Sequence, residues 1–233
     1  SNLKQTLDSL RGKMESGVYE DPTVTNVGTG ELDRSASPPV ETAVSEEALR
    51  SLNQELIDVP ASFTVHRKLR KHLGRRTEAL NNGGIEFAHA ESLAIASLLT
   101  EGVHVRMTGQ DTERGTFSQR HMVLHDEKTG LKYAPIQHLD GATAPFELHN
   151  SPLSETACLG FEYGYASSNP DSLVLWEAQF GDFANSGQVI IDSFIASGES
   201  KWGLTSRLTL LLPHGHEGSG PEHSSARLER FLS

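Results

Sequence analysis

Residues 172–215, SLVLWEAQFGDFANSGQVIIDSFIASGESKWGLTSRLTLLLPHG, read as an apolar strand, a turn, an apolar helix and a second apolar strand. Leu173 to Trp176 and Leu208 to Leu212, the latter interrupted only by Thr209, are apolar runs of strand length, of the kind found in sheets covered on both faces. Two such strands joined through a helical crossover run parallel, because a tight hairpin joins only antiparallel neighbours. Upstream the alternation repeats. SETACLGFEYGYASS (154–168) is helix-like, while VHVRMTG (103–109) and MVLH (122–125) are strand-like. IEFAHAESLAIASLLTEG (85–102) carries Leu93, Ile95, Leu98 and Leu99 on a helix stopped by Gly102. The expected fold is α/β: a three-layer α/β/α, doubly wound and mainly parallel sheet. In such sheets ligands bind outside the carboxyl ends of the strands, which puts the segments ending at Gly109, Gln179 and His214 on one rim.

The amino-terminal part reads differently. Residues 21–45 are rich in Pro, Gly, Ser and Thr and read as a linker. SEEALRSLNQELIDVP (45–60) starts with Ser45 as a cap and continues with Leu49, Leu52 and Leu56 at helical spacing. The expected division is a linker and helical arm over 1–59 and one domain over 60–233. The first residue is Ser, and SARLERFLS ends helix-like without a cap, so both ends read as cut.

The 233 residues are 36% apolar and 22% charged, with a formal charge of −11. That balance argues against general affinity for nucleic acid or an anionic membrane. HRKLRKHLGRR (66–76) is a local basic run, read as a solvated or internally paired helix face in preference to a nucleic-acid patch. Cys158, the single cysteine, rules out an internal disulfide framework and fits a reducing compartment. No apolar run approaches the roughly 18 residues that span a bilayer. The expected location is the cytoplasm of a bacterium or the mitochondrial matrix.

Histidines invite a metal reading through His121 and His125, or His214, His216 and His223. The first pair needs a helix to act as a clamp, and HMVLH is β-prone, so no metal site is expected. No Gly-x-Ser-x-Gly elbow occurs. The Gly-rich HGHEGSGPEH (214–223) either carries His214 and His223 to the rim or is a plain loop of solvated histidines. Glu155 opens an otherwise apolar helical stretch. It is either an acid favoured by the helix dipole or a buried carboxyl with a raised pKa and a proton-sharing role.

VRMTGQDTERGTFSQRH, the stretch from NSPLSETACLGFEYGYASS through ESKWG, and LLLPHGHEGSGPEHSSARLERF together resemble the pyrimidine-binding domain of the first, decarboxylating component of the 2-oxoglutarate dehydrogenase complex. The likeness runs nearly continuously from residue 84 to 232, is weaker in FTVHRKLRKHL and is slight over the first 55 residues. The resemblance implies thiamine diphosphate as cofactor, held between a pyrimidine-binding and a diphosphate-binding domain of different subunits of a homodimer. It implies decarboxylation of 2-oxoglutarate and transfer of the succinyl unit to a lipoyl group on the second component of the complex. Glu155 falls on the family's catalytic glutamate, whose protonated carboxyl hydrogen-bonds N1′ of the pyrimidine. Phe180 and Phe183, with Gln179 beside them, fall on positions that pack on that ring. His223 falls on an active-site histidine, with His214 in the same loop as a second partner for substrate. Arg114 and His121 are candidates in the loop at the cofactor and dimer cleft. Phe87 stands where the family has tryptophan, an exchange expected to be structural. No Gly-Asp-Gly occurs, so magnesium and the diphosphate are expected to be held by a domain outside this chain, leaving it half of an active site. The alternatives are a non-catalytic dimerisation or assembly module, and the same chemistry on another 2-oxo acid.

Overall fold

The computed structural model describes residues 2–16, 40–215, 220 and 223–232. Most of the expected linker, and His216, lie outside the described residues. A first helix, α1 (Asn2–Glu15), precedes α2 (Glu46–Ile57). As the sequence predicts, Ser45 caps α2, its side chain accepting from the Ala48 N–H. The basic run forms α3 (Arg67–Asn82), and α4 (Phe87–Thr100) follows two left-handed glycines, Gly83 and Gly84. Gly102, with φ +84°, turns the chain out of α4, a conformation that side-chain-bearing residues avoid.

The main sheet holds β1 (Val105–Gly109), β4 (Phe146–Asn150), β5 (Leu173–Glu177) and β6 (Leu208–Leu211) in the order β4-β1-β5-β6, with every neighbouring pair parallel. The α/β class and the parallel sheet expected from the sequence are therefore what forms. Alternation along the strands splits the interior into two cores. Val105, Met107 and Leu175 face Leu52, Leu56, Leu93, Ile95 and Leu99 of α2 and α4. Trp176, with Leu208 and Leu210, faces Cys158 and Leu159 of α5 (Glu155–Ser168) and Ile191 beyond it. Each core follows from period-2 strands meeting apolar helix faces.

Two local expectations are corrected, and one strand is added. Residues 122–125 do not join the main sheet: β2 (Leu124–His125) pairs antiparallel with β3 (Lys132–Tyr133) in a small hairpin. The edge position beside β1 is taken instead by FELHN (146–150), whose short half-polar pattern hid a strand with one solvated edge. The helix expected over 187–199 is broken. A 3-10 turn (Gly181–Gly187) leads to α6 (Gln188–Ile190), a π-helical turn (Ile191–Ile195) and α7 (Gly198–Trp202). Gly187 sits where a Cβ would come within 2.9 Å of Leu159, so this segment presses on α5 more closely than an ordinary residue allows. The chain ends in a short turn of helix, α8 (Glu229–Leu232).

Because the strands are parallel, their carboxyl ends share one rim. Gly109 closes β1 there. A Cβ on it would lie 2.1 Å from the Glu177 carbonyl, so only glycine lets the ends of β1 and β5 approach this closely.

Candidate active site

Glu155 is the first residue of α5, after Ser154 has turned the chain and accepted from the Ala157 N–H at 3.4 Å. This position points the carboxyl at the rim rather than at solvent, and Glu155 is only 6% exposed. Its Oε1 accepts from the backbone N–H of Gln179, two residues past the end of β5, at 3.1 Å. No described residue hydrogen-bonds Oε2. Burial pushes the carboxyl's pKa up, and the Gln179 N–H pulls it only part of the way back. Glu155 combines features of both readings the sequence left open: it opens the helix, and it is buried with burial as the main influence on its pKa.

Gln179 is itself fixed by the loop after β1. The Thr116 hydroxyl donates to the Gln179 carbonyl at 2.6 Å, and the Gln179 side-chain amide reaches Oδ2 of Asp111 at 3.5 Å. That loop carries three non-glycine residues at positive φ, Asp111 (57°), Ser118 (56°) and His121 (47°). Such strain persists only where surrounding contacts over-determine the backbone.

The next residue, Phe180, starts an aromatic cluster. Its ring meets Phe117 edge-on at 5.8 Å, Phe183 at 5.5 Å and the His223 imidazole at 4.3 Å, and His223 also lies 5.3 Å from Phe183. The structure thus brings together Glu155 with Gln179, and Phe180 with Phe183 and His223. His214 stands apart from the cluster. It is exposed, its Nδ1 lies 3.0 Å from the Leu212 carbonyl, and it lines a cavity of about 580 Å³ with Phe87, Phe117 and Leu210. Phe87 is 78% exposed beside that cavity, so its exchange for tryptophan bears on surface shape and not on core packing.

Arg114 is exposed and ion-paired with Asp111 at 3.2 Å. His121 lies on the same polar cleft, near Asp111 and Asn150, with its ring 5.7 Å from that of His72; burial and the nearby positive groups hold its pKa down.

Sequence reasoning missed the polar anchor beneath the loop. Arg120, 2% exposed, donates to Glu177 at 2.5 and 2.8 Å, to Glu91 at 2.7 and 3.0 Å, and to the Thr112 carbonyl at 3.0 Å. Burial opposes its charge, but the hydrogen bonds and charges of Glu177 and Glu91 outweigh burial and hold its pKa above the ordinary guanidinium value. Burial pushes Glu177 up even so. Thr116, Phe117 and Arg120 lie in a loop without periodicity, and their only signal was the density of polar residues directly after a strand end.

Among the described residues no cluster of three or more His, Cys, Asp or Glu forms a metal site, and no helix is long and apolar enough to cross a membrane.

Comparison with known proteins places the chain in a family. The family described as transketolase, pyrimidine binding domain, matches residues 83–233. The chain is 56% identical over 196 residues to the 2-oxoglutarate dehydrogenase E1 component of Geobacillus kaustophilus, covering 84% of this chain and 21% of that protein. It is 52% identical over 232 residues to the protein of the same name from Oceanobacillus iheyensis, covering 98% of this chain and 24% of that protein. Its identity to the Bacillus subtilis protein of that name is 55% over 196 residues, or 84% and 21% of the two chains. The chain therefore spans a quarter or less of the length of these relatives.

Proposed function

The chain belongs to the transketolase pyrimidine-binding domain family, and on that premise we propose that it forms the pyrimidine side of a thiamine diphosphate site in a 2-oxoglutarate dehydrogenase first component. The observation that carries this reading is Glu155: a buried carboxyl held by one backbone N–H, with its second oxygen free of described protein partners. A protonated carboxyl donates to a ring nitrogen and a charged one cannot, and burial favours the protonated form. Phe117, Phe180 and Phe183 offer flat apolar surface to an aminopyrimidine, worth roughly 0.5–1.5 kcal/mol beyond burial for each well-placed ring. An acid for the ring's edge and aromatics for its faces make the residues present a fit to that group.

Thiamine diphosphate, when bound, supplies the electron sink for loss of carbon dioxide from a 2-oxo acid. The chain's own part is orientation and proton management. Glu155 holds a proton at the pyrimidine nitrogen, Gln179 fixes the direction of that carboxyl, and the phenylalanines exclude water. His223, against the same rings, is placed by this reading to hold the substrate's carboxylate or hand over a proton, with His214 serving the neighbouring cavity. Magnesium and the diphosphate are proposed to be held outside this chain, whose sequence has no Gly-Asp-Gly. Succinyl transfer to a lipoyl group of the complex's second component belongs to the same proposal. A homodimer is supported by the outer surface of α5 and α6. Phe161 and Val189 are more than half exposed there.

The test is decarboxylation of 2-oxoglutarate with thiamine diphosphate and magnesium, by this chain alone and by the full-length parent. Turnover by the parent and none by the chain alone is expected. Turnover by the isolated chain would overturn the half-site claim, and an inactive parent would overturn the assigned reaction.

A further inference from the structure

We propose that the cleft between α3 and the first turn of α4 binds a phosphate-class oxyanion, at a site separate from the Glu155 rim. The cleft is lined by His72, Arg75 and Arg76 from α3, Gly84 and Glu86 from the turn, and His89 from α4, with Gln119 across the opening. Its cavity is about 40 Å³, roughly the space of three waters or one small polyatomic anion.

Two donors make it a built site. Arg76 is only 6% exposed, yet its buried Nε has no hydrogen-bond partner, while one Nη donates to the buried Arg120 carbonyl at 2.9 Å. The buried Nε2 of His72 also has no partner. A guanidinium kept from water with an unused N–H is costly unless something accepts from it. Arg75 adds a second permanent charge on the same wall. The first turn of α4 has no side-chain cap, and its N-terminal dipole favours negative charge nearby. Opposing the anion are Glu86, the one carboxylate on the lining and exposed, and Glu91, whose charge also acts on Arg76.

Both imidazoles are held below their ordinary pKa. For His72 burial acts first, with Arg76 and Arg75 in the same direction, Glu86 against them, and the His121 ring alongside. For His89 burial is again first, then Arg76, with Glu86 opposing and His72 adding; its Nε2 lies 2.8 Å from the Asn53 side chain. An entering oxyanion favours the protonated imidazoles, so affinity rises as the pH falls. The unpaired Arg76 Nε and His72 Nε2, with the Arg75 charge on the same wall, suit an anion with several acceptor oxygens.

The experiment is titration of the chain with inorganic phosphate, reading the imidazole C–H resonances of His72 and His89 by NMR. Saturable shifts at both, larger at lower pH and weakened about tenfold in Arg75→Gln, are expected. Arg75 is exposed, so this variant tests the site without disturbing the core; His72→Asn is the second variant. Absence of saturable shifts would overturn the proposal. So would equal shifts with sodium chloride at matched ionic strength, or phosphate affinity unchanged in both variants.

Discussion

The backbone N–H of Gln179 and the carboxyl of Glu155 meet at 3.1 Å, joining the end of β5 to the first turn of α5. This bond fixes a buried acid in one orientation while leaving its other oxygen to a ligand.

Glu155→Gln separates the role of that acid in stability from its role in chemistry. Because burial raises the carboxyl's folded-state pKa, the charged form costs stability. The penalty is complete above the folded pKa, shrinks as the pH falls and vanishes below the unfolded value. Glu155→Gln is therefore expected to raise the melting temperature of the chain by roughly 2–4 °C at high pH, the equivalent of about 1 kcal/mol, with the gain disappearing in acid. In the full-length parent the same change is expected to slow C2 hydrogen exchange of bound thiamine diphosphate. An unchanged exchange rate removes Glu155 from the chemistry.

Thr116→Val removes the 2.6 Å hydrogen bond to the Gln179 carbonyl. A loss of about 1 kcal/mol in chemical denaturation is expected, together with several-fold slower C2 exchange in the parent. Thr116→Ser, which keeps the hydroxyl, restores the exchange rate. Exchange at the normal rate in the valine variant would mean that the loop's grip on Gln179 is only structural.

His223 touches both Phe180 and Phe183, so His223→Ala loosens the ring cluster as well as removing an imidazole. The expected loss in the parent is roughly 10²-fold in kcat for 2-oxoglutarate, with a smaller change in cofactor affinity. A loss confined to cofactor affinity contradicts the substrate role.

Arg120→Met leaves Glu91 and Glu177 facing each other without their shared partner. Breaking a buried pair from one side costs about 3–5 kcal/mol, measurable as a collapse of the unfolding midpoint. Adding Glu177→Gln to the same chain recovers part of the loss, because one of the stranded charges is then removed.

Gly109→Ala forces a Cβ into the Glu177 carbonyl. Overpacking of this kind costs roughly 1–3 kcal/mol. Since both strands end at the rim, the aromatic side-chain NMR signals of Phe180 and Phe183 should move with it.

The alternation of apolar strands and helices, and with it the parallel sheet and the rim, was legible from the residues alone. Strand period and helix period are local properties that survive reading one residue at a time. The sequence determined the Ser45 cap, the Gly102 stop and, through long likeness to a family, the candidates Glu155, Phe180, Phe183 and His223. It did not reveal the edge strand 146–150, whose half-solvated pattern is indistinguishable locally from a loop. Nor did it reveal the break within 187–199, where the helix passes into a π-helical turn and stops before α7. Only the tertiary structure decided that Glu155 is a buried acid with a raised pKa, because burial depends on what the β5 end and the loop after β1 bring to it from distant parts of the chain. The same holds for Arg120 and Thr116. Their roles are set by partners 57 and 63 positions away, and a side chain's partner at that range is decided by the fold and not by its neighbours in sequence.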